Sequence, residues 1–429
     1  MTKSFVLKGD LVFNKTKDKL ETIKDGYLVC VDGKVEGIYR SFDEISDEFK
    51  KLDQHDYSGH LIVPGLTDLH AHAPQYMFRG IWMDMELLEW LNTHTFPNEA
   101  RYADMKFAEK AYKIYTDDIR RSATTRLAAF GTIHTDATLM LMDLMEKSGV
   151  VSYIGKVNMD RNSPDYLVET TEESERETRR WLLEVNKRNY KNTMPILTPR
   201  FIPSCTDELM NDLGKLSREK NLPLQSHLSE NLSEIEWVKE LCPWSEGYGD
   251  AYDKMGCFGG EGRKAIMAHC VWSSKEESRL MKKNGVFVAH SPSSNSNLTS
   301  GIAPVRRYLE EGVNVGLASD VAGGSHGSIF RAISDAIQVS KLYFRYIDDS
   351  MKPLTLSEAF YLATKGGGAF FGKCGSFESG YEADILVLDE SAIPTPLENL
   401  KLDERLERFI YLADERDIVH KYVRGSQLF

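Results

Sequence analysis

From about residue 61 to residue 375, short apolar runs alternate with amphipathic stretches. Eight of the runs read as strands: LIVPGLTDLHAH, TTRLAAFGTIHTD, VVSYIGKVNMD, MPILTPRFI, LPLQSHLS, AIMAHC, VFVAHS and NVGLASD. Between them lie helical stretches such as TEESERETRRWLLEVNKRN and SSKEESRLMKKNG. The second opens at Ser with acidic residues in its first turn and closes in Lys-Lys-Asn-Gly, as a capped helix does. Eight strands alternating with helices predict an α/β protein with a parallel sheet, most simply a closed (β/α)8 TIM barrel over residues 63–375. An open doubly wound sheet would normally carry a Gly-rich phosphate loop after its first strand, and none is present. The two ends of the chain read differently. GDLVFN and DGYLVCVDGKVEGIY, with Asp-Gly at 25–26 and 32–33, are strands broken by turns, and GYEADILVLD and DIVHKYVRG answer them near the other end. A strand needs a partner edge, so residues 1–62 and 376–429 are expected to combine into one small composite β domain, a β-sandwich.

Composition narrows the function without choosing it. The 429 residues carry 53 Lys and Arg against 65 Asp and Glu, a formal charge of −12. A nucleic-acid partner would call for a basic face, so none is expected. No apolar run approaches the ~18 residues that span a bilayer, so no membrane partner is expected either. The opening MTKSFVLKGD lacks the apolar core and cleavage site of a signal peptide. Cys30, Cys205, Cys242, Cys257, Cys270 and Cys374 form no CxxC pair and read as reduced thiols, which points to the cytoplasm.

Histidine placement carries the chemistry. His70, His72, His134, His227, His269 and His290 lie at or just past the C-terminal ends of predicted strands, which converge on one face of a barrel. One such histidine alone would pass for a satisfied core or rim residue; six on one rim suggest a site. His70 and His72 are two apart on a strand, so both rings point to the same side, the lumen. His227 offers a third nitrogen and Asp320 a carboxylate, although Asp320 would also serve as a helix N-cap. Three imidazoles and a carboxylate suit a divalent first-row ion, zinc best among them. Glu230, three residues after His227, is placed to shuttle protons beside that ion, or else to cap the helix that follows. His269 would orient a water there, unless it is simply a packed strand end.

PGLTDLHAH, the lone histidine of QSHLSEN, MAHC and the SD ending the last strand resemble the amidohydrolase superfamily, and GSFESGYEADILVLD resembles its return into a small sheet domain. Within that superfamily the chain is most similar to the guanine deaminases, over almost its whole length. HAPQYMFRGIWMDMELLEWLNTHTFPNEARY, GKVNMD, TPRFIPSC, HSPSSNSNL and GLASDVAGG fall in the expected order. The resemblance implies one zinc on His70, His72, His227 and Asp320, with Glu230, His269 and Asp320 catalytic. It implies that Gln75, Arg200 and Phe201 hold guanine, with His72, His227, Glu230 and Asp320 in the same substrate site. It also implies a homodimer. The chemistry of the three clamp residues is suitable: an amide donates and accepts, a guanidinium gives a rigid donor fork, and a phenyl ring offers a face or edge. Read by themselves they would equally be a turn residue, an ion-pair partner and core. Binuclear members of the superfamily use a carboxylated lysine on the fourth strand. Here that strand has Arg200, and the nearest lysine, Lys156, lies one strand earlier, so a single metal is expected. An enzyme for another aminopurine or a triazine would share the metal and Glu230 but need a different clamp. A non-catalytic relative would be expected to have lost ligands.

Overall fold

The computed structural model describes residues 3–429. Four strands open the chain: β1 (Phe5–Thr16), β2 (Lys19–Val31), β3 (Lys34–Tyr39) and β4 (Asp53–Pro64). The barrel follows. Its strands are β5 (Leu66–His72), β6 (Thr124–Phe130), β7 (Val151–Gly155) continued by β8 (Val157–Asn158), β9 (Thr193–Pro195) continued by β10 (Thr198–Pro199), β11 (Leu224–Leu228), β12 (Ala265–His269), β13 (Phe287–His290) and β14 (Asn314–Leu317). Three strands close the chain: β15 (Ile385–Leu388), β16 (Ile418–Val423) and β17 (Ser426–Gln427).

Barrel neighbours pair in parallel, β5–β6–β7–β9 on one side and β11–β12–β13–β14 on the other. Two seams join the halves. Leu197 bridges Leu224 in parallel, and the Asp320 amide donates to the His70 carbonyl at 2.9 Å. Counting β7 with β8 and β9 with β10 as single strands gives the eight predicted from the apolar runs. Strands β5 and β6 are buried along their whole length because helices cover the ring outside and side chains fill it inside. Leu69, Ala128, Ile196, Ile266, Ala268, Ala289 and Phe370 form that inner core. Local signals set the helix ends. Thr170 and Glu173 form a capping box on the helix Thr171–Arg188, and Ser274 caps Lys275–Asn284, which ends at Gly285 with φ 68°. Glycine is needed for a different reason at Gly316, where a Cβ would sit 2.5 Å from Leu69 and 2.6 Å from the Cα of Gly367.

The strands of the two termini meet in one seven-stranded sheet, ordered β17-β16-β15-β4-β1-β2-β3. The expected sandwich takes the form of this single sheet packed over a core of its own, which includes Phe5, Leu7, Phe13, Leu28, Ile62, Phe377, Ile385 and Tyr422. The rings of Phe5 and Tyr422 lie 5.0 Å apart across it. Buried charges fasten the sheet to the barrel. Arg126 of β6 pairs with Asp384 and Glu382, and Lys421 of β16 donates to the carbonyls of Ile119, Arg120, Ser122 and Thr124.

Candidate active site

The barrel's C-terminal rim gathers the polar residues that the strand ends deliver. His70 and His72 end β5, His227 lies in β11, His269 ends β12, and Asp320 follows β14. Asp68, two residues before His70, holds this corner. Its carboxylate accepts from the Ser319 amide at 3.1 Å, the Ser319 hydroxyl at 2.6 Å and the His70 amide at 3.2 Å, tying β5 to the end of β14. Burial pushes the Asp68 carboxyl up to about 7 despite those bonds. Just past the strands, Ser229, His269, Cys270 and Asp320 all hold φ between 44° and 70°. Left-handed backbone at residues other than glycine is costly and concentrates at sites where a side chain must be aimed. Here it turns the chain out of the sheet at two residues that line the pocket, His269 and Asp320, and at two beside them.

Four side chains converge on one point. His70 Nε2 lies 3.1 Å from Asp320 Oδ1, His72 Nε2 lies 3.5 Å from the same oxygen, and His72 Nε2 lies 3.2 Å from His227 Nε2. His70 and Asp320 are buried, and His72 is 4% exposed. The tautomer of His227 is fixed, because its Nδ1 lies 2.6 Å from the Arg200 carbonyl and can only donate there. Its Nε2 therefore presents a lone pair toward His72. Neither ring nitrogen of His70 makes a hydrogen bond of acceptable geometry among the described residues. Burial first, and neighbouring rings second, pushes His72 and His227 well below the ordinary histidine value; burial lowers His70 as well. Burial opposes ionisation of Asp320, but the surrounding histidines hold its carboxyl far down. Neutral imidazoles and a carboxylate, buried with their nitrogens and oxygens crowded within 3.1 to 3.5 Å of one another, are the donor set that a divalent metal satisfies. The residues fit such an ion.

Glu230 and His269 face this cluster. Glu230 Oε2 is 3.4 Å from His269 Nε2, and that nitrogen is 3.8 Å from Asp320 Oδ2. Asn295 Oδ1, 2.8 Å from His269 Nδ1, accepts its proton and leaves Nε2 to the pocket. Burial alone would lower His269, but the carboxylates of Glu230 and Asp320 raise it. Burial pushes Glu230 up to about 7, while the Ser300 hydroxyl, donating to Oε1 at 3.0 Å, favours the charged form. A carboxyl near neutrality can take and return a proton at physiological pH.

Gln75, Arg200 and Phe201 line the same pocket, together with Leu87, Trp90, Leu91 and Leu298. The sequence reading did not single out these four apolar wall residues; three come from one segment, Leu87–Thr95, whose spacing reads as ordinary helix. It also missed Glu99, a 3% exposed carboxylate behind the wall that holds both Gln75 and Arg200. Nothing in TFPNEARY marks it out, since Asn98 and Arg101 beside it make it look like any solvated helix carboxylate. Ser300 and Asn295 were missed because serine and asparagine are too common to stand out.

Two of the six rim histidines stand apart. His134 begins the helix Thr135–Ser148 and lines a separate groove with Tyr102 and Glu169. His290 is buried beside a cavity lined by Ala303, Arg306 and Tyr343; burial pushes it down to about 3, and neither ring nitrogen has a hydrogen-bond partner among the described residues. Lys156 does not reach the cluster: its Nζ is held by Glu169 at 2.8 and 2.9 Å.

Comparison with known proteins agrees with this architecture. Residues 61–428 match the amidohydrolase family model. A guanine deaminase of Dictyostelium discoideum is 41% identical, over 96% of this chain and 89% of its own. One of Escherichia coli is 34% identical, over 96% and 92%. The crystal structure of a guanine deaminase from C. acetobutylicum, with guanine bound in its active site, has a TM-score of 0.95 at 48% identity, covering 99% of this chain and 100% of that one. Barrel and terminal sheet thus have full-length counterparts, and the chain belongs to the amidohydrolase family.

Proposed function

We propose that this chain hydrolyses guanine to xanthine and ammonia. One observation carries the reading: a buried cluster of lone pairs and a near-neutral carboxyl, Glu230, share one pocket with the donors of Gln75 and Arg200, in a chain similar end to end to proteins that deaminate guanine.

His70, His72, His227 and Asp320 would hold one zinc per chain. When bound there, the ion supplies Lewis acidity that makes water a nucleophile at neutral pH. The protein's own groups do the rest. Gln75 and Arg200 fix the base in its plane, and Phe201 covers the ring. Glu230 takes one proton of the attacking water and delivers it to the ring nitrogen beside C2, which makes C2 more electrophilic. His269 Nε2 and the outer oxygen of Asp320 orient the attacking oxygen. After addition, Glu230 moves the second water proton to the amino group. The C2–N bond breaks, ammonia leaves, and the carbonyl of xanthine forms. The segment from Leu87 to Leu91 keeps bulk water out, so that each proton transfer stays within the pocket. A homodimer in the cytoplasm belongs to the same reading, and sedimentation of the purified protein tests the assembly.

The function is tested by loading the purified chain with zinc and following ultraviolet conversion of guanine to xanthine together with ammonia release. Adenine and cytosine serve as controls. Conversion of guanine alone supports the reading. A zinc-loaded protein inert toward guanine would keep the metal site and discard the substrate.

A further inference from the structure

Gln75 and Arg200 do not stand free in the pocket. Both are held from behind by Glu99, the last residue of the short helix Phe96–Glu99, which lies outside the pocket lining. Glu99 Oε1 accepts from Gln75 Nε2 at 2.8 Å and from Arg200 Nη2 at 3.1 Å, while Oε2 accepts from Arg200 Nη1 at 2.6 Å. The arginine is thus gripped as a fork by one carboxylate. Three residues earlier on the same helix, Phe96 lies under the guanidinium, with Arg200 Cζ 5.0 Å from its ring centre. Carboxylate and ring together fix both the position and the plane of the guanidinium.

We propose that Glu99 is the positioning residue that sets the donor–acceptor polarity of the pocket, and so selects a purine carrying a carbonyl over one carrying an amino group at the edge facing Gln75 and Arg200. The inference rests on the guanine reading and deepens it. A glutamine is ambiguous by itself, since either end of its amide can face a ligand. Here the reverse orientation would set its oxygen against the Glu99 carboxylate, acceptor against acceptor. The amide nitrogen is therefore held on Glu99, and the amide oxygen lies 3.4 Å from the Ala322 amide. Arg200 has only donors; Glu99 engages two of its N–H groups and aims the rest. A carbonyl oxygen meets donors at that edge. An amino group there would meet another donor, with both left unpaired in a buried site, and this is the arrangement that discriminates most strongly between substrates.

The experiment compares guanine with 2,6-diaminopurine, which has the same C2 amino group but an amino group in place of the C6 carbonyl. The kcat/KM ratio for the two bases is measured in the zinc-loaded wild type, in Glu99→Gln and in Glu99→Asp, with zinc content and melting temperature checked in each. In Glu99→Gln one carboxylate oxygen becomes a donor and Gln75 is free to turn over. The guanine preference is expected to fall by about tenfold or more, chiefly through the KM for guanine. Glu99→Asp keeps the charge but is too short to reach both partners, and its preference should lie between the other two. Should Glu99→Gln fail to fold, Glu99→Asp carries the test. An equal loss on both bases in a folded variant overturns the inference and leaves the guanine reading intact. A zinc-loaded wild type that converts neither base overturns both.

Discussion

The two ends of the barrel bury polar groups in opposite ways. At the end facing the terminal sheet, Arg126 donates to Asp384 and Glu382, and Lys421 donates to four carbonyls at 2.7 to 3.1 Å. Those partners belong to the chain itself and meet both charges, although Arg126 Nη1 has no hydrogen-bond partner among the described residues. At the other end, neither ring nitrogen of His70 makes a hydrogen bond among the described residues, and His72 and His227 turn the same kind of nitrogen toward each other at 3.2 Å. Burial without partners costs free energy unless something supplies them. The difference separates groups that fasten the fold from groups arranged for a ligand. Gln75 and Arg200 lie between the extremes: Glu99 anchors them, yet both line the pocket.

The comparison breaks most sharply if the rim histidines turn out to be structural. His227→Ala should lose zinc and reduce guanine turnover to background. Metal analysis of the purified variant beside the wild type checks this, and full zinc occupancy in the variant would remove His227 from the ligand set. Next in size is Glu230→Gln, which should retain zinc and melting temperature yet lose about 10²- to 10⁴-fold in kcat, the range for a positioned proton-transfer group. Near-native turnover would end the shuttle role. At the opposite end, Arg126→Met leaves Asp384 buried without its cation. It should destabilise the chain by about 3–5 kcal/mol in denaturant titration, with kcat per folded molecule unchanged. A large fall in kcat without loss of stability would mean that the two ends are coupled, and the distinction between them would fail.

Much of this contrast was legible from residue order. The eight apolar runs mark the eight barrel strands because each must be buried on both faces, and the HxH spacing places His70 and His72 on one side of β5. The capped helix Lys275–Asn284 was readable from its own ends. What sequence could not show is pairing over distance. Glu99 meets Arg200 across 101 residues, and Arg126 meets Asp384 across 258. Nothing local in TFPNEARY or TTRLAAF announces those partners. His134 and His290 illustrate the converse: the strand-end rule selects them too, but the direction of a side chain just past a strand depends on the loop, and these two line other cavities. The wall segment is obscure for a similar reason, since its π-helical turn Leu91–Thr95 shifts the register that a 3.6-residue period assumes.

The smallest effect is also the most discriminating, because it asks whether the Glu230 carboxyl is tuned as well as placed. Ser300 is buried, and its hydroxyl donates to Glu230 Oε1 at 3.0 Å. That bond favours the carboxylate and opposes the burial that pushes Glu230 up to about 7. Ser300→Ala removes the stabilisation of the charged form, so the Glu230 pKa must rise further. A hydrogen bond to a charged group is worth about 1.5–3 kcal/mol, and 1.36 kcal/mol corresponds to one pKa unit, so the rise is on the order of one unit. The proton shuttle needs Glu230 deprotonated when water attacks. The acidic limb of kcat/KM should therefore move to higher pH: activity near pH 6 falls about tenfold, while activity near pH 9 stays close to wild type. A pH profile of guanine turnover in the two proteins decides the matter. An equal loss at every pH would mean that Ser300 only shapes the pocket, and Glu230 would then be set by burial and its neighbouring charges alone.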